Sequence, residues 1–504
     1  MSTIEIMDTT LRDGEQTSGV SFSTQEKLSI TRLLTEMGVN RLEIASAKVS
    51  EGEFNTVQKI ANWAKNSGHL DKLEILGFVD NGISLEWIKK SGCKTINLLT
   101  KGSLNHVTNQ LRKTPEQHLY DIKKNVELAN SMNILVNVYL EDWSNGMIHS
   151  PEYLYQMLDE LKDTSIKRFM LPDTLGILNP NTTKKFCKDV ITKYPKLHFD
   201  YHAHNDYDLA VANVMAAVEA GVQGIHVTMN GLGERAGNAP LPSVVAVLHD
   251  QMKIKTSIKE SLLNKVSRVV ETYSGLNISS NQPIIGENVF TQTAGIHADG
   301  DNKNNLYYND LYPDRFGRVR EYALGKLSGK SNIKKNLEAL GIELDNDEMI
   351  KVTNRVIELG DRKEIITQED LPFIISDVLN TNENEKKVKI KSYALVLSKG
   401  LHPTASIQVE INDKIYEQTS SGDGQYDAFF KAVALIYQKL NKTKPILTNY
   451  KVIIPPGGHT DALVQTVISW KYNNHEFKTR GLDADQTEAA IQATEKMLNI
   501  IEKM

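Results

Sequence analysis

The sequence predicts an α/β protein whose first part is a closed (β/α)8 barrel. Eight short β-patterned runs alternate with helical patterns over about 250 residues, which is the repeat number and length of a TIM barrel. We place the strands at 4–8, 41–46, 73–79, 95–100, 135–141, 168–172, 198–203 and 224–229. A doubly wound open sheet is the alternative, but eight units suit it poorly and no dinucleotide-binding glycine pattern follows the first strand.

Two of the helical patterns have clear ends. After the first strand, Ser23–Glu26 has the form of a capping box, and an apolar stripe at helical spacing follows it. A later, alanine-rich pattern runs from Leu209 to Ala220 and stops at Gly221. These patterns are typical of the helices that surround a barrel.

Composition excludes several classes of protein. The chain has 504 residues, a formal net charge of −5 and two cysteines, Cys93 and Cys187. The charge and the lack of a basic tract argue against a nucleic-acid partner, and two cysteines cannot build a disulfide framework. No apolar run approaches the length of a membrane span, and the first strand begins too early for a signal peptide. We therefore expect a cytoplasmic protein with no nucleic-acid or membrane partner.

The pattern changes after the barrel, so we divide the chain into 1–255, 256–380 and 388–504. The middle part reads as helical linker subdomains with a polar, Gly-rich loop at 290–330. The basic side chains of that loop either face solvent in a connector or contact an anion. They are Arg315, Arg318, Arg320, Lys326 and Lys330.

The last part contains an internal repeat. Ala405–Ile411 resembles Ala462–Ile468, and Gly422–Ala428 resembles Gly481–Thr487. A helical pattern follows each copy. The repeat therefore predicts a small pseudo-symmetric α+β domain, a β-sheet with helices on one face.

The strongest functional signal comes from three polar patches that follow β-patterned runs. They are Asp8–Gly14, His202–Asp206 and Gly231–Asn238. His202 and His204 stand at i and i+2, so their side chains point the same way from a strand. A carboxylate with two imidazoles suits a borderline divalent cation that keeps positions open for substrate oxygens. Any one of these residues taken alone is as readily structural.

Polar residues cluster at the strand ends, where the active sites of barrels lie. They are Asp8, Arg12, Asp13, Glu141, Asp142, Asp173, Thr174, His202, His204, Asn230 and Asn238. Strands 3 and 4 end instead in the apolar segments Leu76–Phe78 and Leu98–Leu99. Glu43 lies inside its strand, so we expect a supporting role, and His226 is left unassigned. Such a site suits a small polar oxyacid with one short apolar substituent.

A known family signature, that of the DRE-type TIM metallolyases, resembles the segment Asp8–Gln16 (DTTLRDGEQ). The family includes the isopropylmalate, homocitrate and citramalate synthases, HMG-CoA lyase and some carboxyltransferase domains. Further elements of the condensing branch resemble Tyr201–Asn238, Phe290–Gly300 and Leu324–Gly329. The segments most similar to the citramalate synthases are Ala45–Glu53, Val138–Ser144 and Gly422–Ala428. The likeness covers essentially the whole chain, which a likeness to a lyase would not.

The resemblance implies roles for individual residues. The metal ligands would be Asp13, His202 and His204, with Asn238 as a candidate fourth. Arg12 would contact the keto oxygen of a 2-oxoacid, Thr174 its carboxylate, and Glu141 would be a catalytic acid/base group. His297 and Tyr307 would reach acetyl-CoA from a neighbouring subunit. The side chains closing the pocket around the methyl group of pyruvate would be Leu76, Leu99 and Tyr139.

The activity implied by the resemblance is the condensation of acetyl-CoA with pyruvate, followed by thioester hydrolysis, to give (R)-citramalate on a route to isoleucine. The poorly acidic methyl group of acetyl-CoA needs a base, and a divalent ion (Zn, Mn or Mg) would polarise the ketone. The alternatives are a 2-isopropylmalate synthase that uses 2-oxoisovalerate, a lyase that runs the chemistry backwards, and a catalytically inactive sensor.

For residues 388–504 the resemblance implies the allosteric domain of a homodimer. The effector would be isoleucine, with leucine as the alternative, and a plain dimerisation module is the competing interpretation. The residues implied for the effector pocket are Tyr426, Asp427, Leu447, Tyr450, Ile454, Thr460 and Val464.

Overall fold

The computed structural model describes residues 4–303, 306–361, 366–379, 387–453, 464–473 and 475–502. It divides into two compact units, the first made of Met1–Phe290 and Tyr308–Arg320 and the second of Thr291–Tyr307 and Glu321–Met504. Among the described residues, no helix has the length and apolar character needed to span a membrane.

The predicted barrel is confirmed. Eight parallel strands pair in the order β1 to β8, and β8 closes onto β1. The strands are β1 Glu5–Asp8, β2 Arg41–Ser46, β3 Leu73–Phe78, β4 Thr95–Lys101, β5 Leu135–Glu141, β6 Arg168–Asp173, β7 Phe199–Ala203 and β8 Gly224–Val227. Their limits lie close to the predicted ones, and the largest difference is at β8, which ends before its expected limit of 229.

Helices follow the strands as expected. Those of the first unit are α1 Thr24–Met37, α2 Glu51–Asn66, α3 Ile83–Ser91, α4 Pro115–Ser131, α5 Trp143–His149, α6 Pro151–Leu161, α7 Pro180–Lys193, α8 Ala210–Ala220, α9 Leu241–Asp250 and α10 Leu263–Ser274. The predicted capping box begins α1, where Ser23 N–H donates to Glu26 Oε2 at 2.7 Å. The predicted stop at Gly221 ends α8 in a left-handed conformation.

Side chains alternate between two apolar regions along each strand. Residues such as Ile6 and Val138 are fully buried between the barrel and its helices. Their neighbours Met7 and Tyr139 point the other way and belong to a separate apolar cluster. The alternation follows from strand geometry and gives the barrel interior its own set of side chains.

A buried ionic cluster lies towards the amino-terminal ends of the strands. Arg41 pairs with Asp200, with Glu74 at 3.2 Å and with Glu5 at 3.4 Å. Burial alone would raise the pKa of Asp200, but Arg41 and a hydrogen bond from His198 hold that pKa well below its usual value. The cluster depends on Arg41 because it is the cation that all three carboxylates share.

The second unit begins with short elements and small helices. They are β9 Thr291–Gln292, α11 Gly295–Asn302, β10 Glu321–Tyr322, α12 Lys330–Leu340, α13 Asn346–Asp361 and α14 Leu371–Val378. Apolar residues of α12, α13 and α14 form their own core, which includes Ile333, Val352 and Leu371.

The internal repeat of the last part is confirmed, but it forms two separate sheets where a single sheet was expected. Two three-stranded antiparallel sheets each precede a helix. The first copy is β11 Val388–Val396, β12 Thr404–Ile411, β13 Lys414–Ser421 and α15 Gln425–Lys439; the second is β14 Ile446–Ile453, β15 Val464–Tyr472, β16 His475–Asp483 and α16 Gln486–Ile501. Of the first resembling pair, residues 405–411 lie on β12 and residues 464–468 on β15, the central strand of each sheet. The second pair, Gly422–Ala428 and Gly481–Thr487, runs into the starts of α15 and α16.

Replacing Arg41 with Met should strongly destabilise the barrel. Removal of one partner from a buried ion pair typically costs about 3–5 kcal/mol, because the remaining charge is buried without compensation. Differential scanning calorimetry should show a lower Tm for Arg41→Met. The control is Lys184→Met, which removes an exposed pair with Glu219. Equal Tm values for the two variants would contradict this account of the cluster.

Candidate active site

A tight turn after β1 places two charged residues at the mouth of the barrel. The amide groups of Arg12, Asp13 and Gly14 all donate to the carbonyl of Thr9, at 3.1, 2.9 and 3.1 Å. The hydroxyl of Thr10 accepts a hydrogen bond of 2.7 Å from the amide of Met229, just after β8. The turn is therefore fixed both by its own backbone and by the neighbouring strand.

Asp13, His202 and His204 lie together at this end of the barrel. Their ligand atoms are all within 4.8 Å of one another, and all three residues are buried. His202 Nε2 is 3.2 Å from Asp13 Oδ2. The two histidines come from the end of β7, where the i, i+2 spacing puts them on one face. The structure thus brings together the two histidines that their spacing associated with a metal and the aspartate that the family resemblance implied.

The electrostatics of the cluster suit a cation. Burial alone would raise the pKa of Asp13, but Arg12 and His202 outweigh that effect and leave the pKa well below its usual value. Burial, with the neighbouring His202, lowers the pKa of His204 to about 4. At neutral pH the cluster therefore offers an ionised carboxylate and a neutral imidazole, which are the protonation states that bind metals.

Three buried atoms here have no hydrogen-bond partner among the residues that the structure describes. They are Asp13 Oδ1, His204 Nδ1 and Asn238 Oδ1. The amide nitrogen of Asn238 donates to the carbonyl of Leu232 at 3.2 Å, so its oxygen is the atom left for a ligand. An unpaired buried polar atom costs about 1–3 kcal/mol. Three such atoms at one place fit a divalent ion held by carboxylate, imidazole and amide groups.

The loop that carries Asn238 depends on a glycine. Gly237 has φ of +86°, and a Cβ there would lie 1.9 Å from the carbonyl oxygen of Gly231. The loop turns back so that Asn238 bridges to His204 in an isolated antiparallel pair. The glycine-rich patch therefore serves to return an amide to the histidines.

Arg12 is held on three sides. Its Nε donates to Glu43 at 2.5 Å, one terminal nitrogen lies 3.2 Å from Asp13, and the other donates to the Tyr139 hydroxyl at 3.4 Å. The Arg12 side chain is only 9% exposed. Glu43 also accepts a hydrogen bond of 2.8 Å from Asn97, which explains why a carboxylate lies in the middle of β2.

The side chains expected to close the substrate pocket, Leu76, Leu99 and Tyr139, form a compact group that we call the apolar sector. Leu76 and Tyr139 are buried in one cluster with Met7 and Met170, and Leu99 packs against it. The two methionines were not foreseen, although Met7 stands one residue before the predicted patch. Burial raises the pKa of Tyr139 well above its usual value, so the phenol keeps its proton.

Glu141 lies at the end of β5 and forms an ion pair with Lys101 at the end of β4. Lys101 was not among the predicted site residues, although it stands two residues after Leu99 and so shares its face of the strand. The hydroxyl of Thr174 accepts a hydrogen bond of 2.9 Å from the amide of Asp142. Its own proton remains to donate to a ligand.

Other carboxylates at the strand ends are engaged in loops. Asp142 accepts a hydrogen bond of 2.6 Å from Ser103. Asp173 accepts from the amides of Ile177 and Leu178 at 3.1 and 3.0 Å. Asn230 bonds to Ser267 on α10. The predicted polar ring therefore includes residues that shape loops as well as residues that face the cluster.

His297 and Tyr307 belong to the second unit. Their rings pack 4.3 Å apart between centroids, and Tyr307 is 42% exposed. The structure thus pairs the two residues with each other. Their predicted contact with acetyl-CoA from a neighbouring subunit stays a prediction.

The loop arginines of the first unit hold the connector together. Arg315 makes two hydrogen bonds of 3.0 Å to Glu260 and one of 2.8 Å to Asp250. Arg318 donates to the carbonyls of Gly286 and Glu287. For these two arginines the contacts favour a structural role in the connector over the predicted contact with an anion.

The residues implied for the effector pocket are partly clustered in the tail. The Tyr426 hydroxyl is 2.7 Å from that of Thr494 on α16, and its ring centroid is 5.4 Å from that of Tyr450 on β14. Leu447 is half-buried on the same strand, and Val464 is half-buried at the start of β15. Ile454 and Thr460 lie outside the described residues.

Asp427 already has partners in the protein. It accepts a hydrogen bond of 2.8 Å from the amide of Asp423, and Lys431 lies 2.7 Å away, one helical turn later. Its carboxylate would have to exchange the Lys431 contact for the amino group of an effector.

Three family models match the chain. The HMGL-like model matches residues 3–270, the homocitrate synthase post-HMGL domain-like model residues 284–364, and the LeuA allosteric (dimerisation) domain model residues 365–502.

Curated relatives match over almost the full length. The (R)-citramalate synthase of Methanocaldococcus jannaschii is 33% identical over 99% of both chains. A putative (R)-citramalate synthase of Methanopyrus kandleri is 35% identical over 85% of this chain and 83% of its own. A probable 2-isopropylmalate synthase of the same organism is 34% identical over 98% of both.

Asp13→Asn and His204→Ala should lose a bound divalent ion and turnover. Substitution of groups that merely support metal ligands costs about 10–100-fold in affinity, so loss of a ligand should cost at least about 100-fold. Metal analysis and calorimetric titration of the purified variants measure this. The matched control is His198→Ala, which removes a histidine just before β7, beside the ionic cluster. Full metal occupancy in both test variants would show that the cluster is not a metal site.

Proposed function

The chain belongs to the HMGL-like family, and from that membership and its site we propose that it condenses acetyl-CoA with pyruvate to give (R)-citramalate and CoA. The observation that carries the proposal is the apposition of the Asp13 cluster, the fixed Arg12 and a closed apolar sector, in a chain similar to (R)-citramalate synthases over nearly its full length. The reaction lies on a route to isoleucine.

The proposed metal ligands are Asp13, His202, His204 and Asn238. A divalent ion bound there (Zn, Mn or Mg) would chelate the oxoacid and polarise its ketone. Thr174 would donate its hydroxyl proton to the oxoacid carboxylate. The three unpaired buried atoms of the cluster support this assignment.

Arg12 stabilises the negative charge that grows on the ketone oxygen during carbon–carbon bond formation. Such a donor is effective when it is already in place, because no reorganisation is then needed during the reaction. The contacts of Arg12 with Glu43, Asp13 and Tyr139 supply that preorganisation.

Glu141 acts as the base that removes a proton from the methyl group of acetyl-CoA. The resulting carbon nucleophile attacks the carbonyl carbon of pyruvate, and the ketone oxygen takes up a proton. Water then cleaves the thioester and releases CoA. Lys101 holds the Glu141 side chain in place. His297 and Tyr307 contact the acetyl-CoA end of the site, contributed by the second subunit of a homodimer, which the match to a dimerisation domain supports.

The apolar sector sets the choice of oxoacid. Leu76, Leu99 and Tyr139 would face the methyl group of pyruvate, and Met7 and Met170 belong to the same buried cluster. A 2-isopropylmalate synthase, which would accept 2-oxoisovalerate, is the second candidate because a relative of that kind is as similar as the citramalate synthases.

We further propose that residues 1–255 are the catalytic barrel, 256–380 the linker subdomains with the acetyl-CoA loop, and 388–504 an amino-acid-sensing domain. The effector is isoleucine, with leucine as the alternative. The aromatic and aliphatic groups around Tyr426 and Tyr450 suit a branched apolar side chain. An enzyme with these small-molecule substrates fits the cytoplasm.

Pyruvate should be used with a higher kcat/KM than 2-oxoisovalerate. One or two methylenes are worth about 10–200-fold in discrimination, so the preference should be strong but not absolute. Thiol release from acetyl-CoA with each oxoacid measures it. Leu99→Ala should enlarge the pocket and so reduce the difference in kcat/KM between pyruvate and 2-oxoisovalerate. Equal or better kcat/KM with 2-oxoisovalerate in the unmodified enzyme would favour the second candidate.

Isoleucine should inhibit the full-length enzyme, and Tyr426→Ala should abolish that inhibition while the enzyme stays active. Allosteric coupling is typically about 1–3 kcal/mol, so a shift of about 5–150-fold in apparent affinity is expected. The control is Tyr416→Ala, a tyrosine packed against the same core but outside the implied pocket. A chain truncated after about residue 380 should likewise not respond. No response of the unmodified enzyme to isoleucine or leucine would remove the regulatory proposal.

A further inference from the structure

We propose that His226 is a positioning residue of the condensation, acting on Arg12 through the hydroxyl group of Tyr139. The inference rests on the proposed function for the identity of the reaction. The sequence pattern gives His226 no role, and this residue is no member of the group Asp13, His202 and His204. It lies inside the barrel between the ionic cluster around Arg41 and the group of side chains that contact Arg12, and this position gives it the role.

The hydrogen bonds of His226 run in two directions, and its ring also packs against that of His202, with 5.4 Å between centroids. Its Nδ1 is 3.1 Å from the hydroxyl oxygen of Tyr139, and its Nε2 is 3.2 Å from Oδ2 of Asp200. The residue is 1% exposed. Thus one imidazole joins the ionic cluster around Arg41 to the tyrosine that contacts Arg12.

These contacts fix the direction of the hydrogen bonds. The Asp200 carboxylate, paired with Arg41, only accepts, so Nε2 of His226 carries the proton and donates to it. A neutral imidazole then has a bare Nδ1 that can only accept. The hydroxyl of Tyr139 must therefore donate to His226.

The direction matters for Arg12. With its proton committed to His226, the Tyr139 oxygen presents its lone pairs to the Arg12 N–H group at 3.4 Å. The carboxylate of Glu43 lies 3.5 Å from the same hydroxyl and would otherwise attract that proton. Tyr139 is thereby kept as the third acceptor of Arg12. Of the five N–H groups of the guanidinium, three are then held by the protein and two remain for a ligand.

A second buried pair provides a comparison. His118 Nδ1 is 2.7 Å from the hydroxyl of Tyr153, and His118 is also 1% exposed. This pair lies on α4 and α6, outside the strands of the barrel. Loss of its imidazole measures the cost of deleting a buried histidine without touching the contacts of Arg12.

The test is a double-mutant cycle on the full-length, metal-loaded enzyme. His226→Leu and Tyr139→Phe are made singly and together, and thiol release is measured with the 2-oxoacid that the unmodified enzyme uses best. Each single variant should lose about tenfold or more, mainly in kcat, because Arg12 acts on developing charge. The double variant should be no slower than Tyr139→Phe. His226→Gln, whose amide can accept from Tyr139 and donate to Asp200, should recover part of the loss.

The control is the same cycle with His118→Leu in place of His226→Leu. There the fold losses of activity caused by His118→Leu and Tyr139→Phe should multiply in the double variant. If the loss caused by His226→Leu is undiminished in the Tyr139→Phe background, or if His226→Gln is no better than His226→Leu, the proposal is wrong and His226 serves only packing.

A second measurement does not depend on turnover. In the enzyme with ¹⁵N-labelled histidine, the His226 ring should show one protonated and one hydrogen-bond-accepting nitrogen, assigned by their absence in His226→Leu. In Tyr139→Phe the accepting nitrogen should shift towards the position of an unbonded one. A protonated Nδ1 would overturn the proposal. An enzyme that condenses no 2-oxoacid but shows these signals would instead refute the proposed function alone.

Discussion

The site depends on the burial of two adjacent opposite charges, Arg12 and Asp13, at the mouth of the barrel. Burying an ion pair is costly unless hydrogen bonds satisfy the remaining donors and acceptors. Glu43 and Tyr139 satisfy Arg12, whereas one buried oxygen of Asp13 has no partner in the described part of the chain. One charge is thus compensated within the fold, and the other is left for the proposed cation. Preorganisation of Arg12 and the proposed affinity for a metal would be two results of the same arrangement.

The alternation of side chains along the strands extends this arrangement through the barrel. On β7 the successive inward residues are Asp200 and His202, and His204 follows just beyond the strand, so one chain segment runs from the ionic cluster to the proposed metal site. β2 is arranged in the same way: Arg41 belongs to the ionic cluster, and Glu43, two residues later, contacts Arg12. His226 connects the ionic cluster to the site inside the barrel, through its contacts with Asp200 and Tyr139. Mutations near the amino-terminal ends of the strands can therefore affect catalysis through the position of a few hydrogen bonds, in addition to their effect on stability.

The sequence was sufficient for the fold, because eight strand-and-helix repeats and a duplicated tail leave few alternatives. It was also sufficient to bring Asp13, His202 and His204 together, since their strand-end positions specify one edge of the barrel. The sequence did not predict which way each side chain points or which groups it contacts. Asp142 and Asp173 stand at strand ends, yet bind loop atoms, whereas Lys101 went unnoticed beside Glu141. The contacts of Asp142 and Lys101 depend on register between strands distant in sequence, and those of Asp173 on the conformation of the loop after β6. Periodicity contains neither.

The most direct test of the central claim is the activity of the enzyme without and with its metal. The unmodified protein is stripped with a chelator and assayed for citramalate and CoA from acetyl-CoA and pyruvate, before and after titration with Zn, Mn or Mg. We expect no activity in the stripped protein and full recovery at one ion per chain, because the Asp13 cluster offers a single binding place. Full activity of the demonstrably metal-free protein, or no citramalate under any metal, would contradict the account.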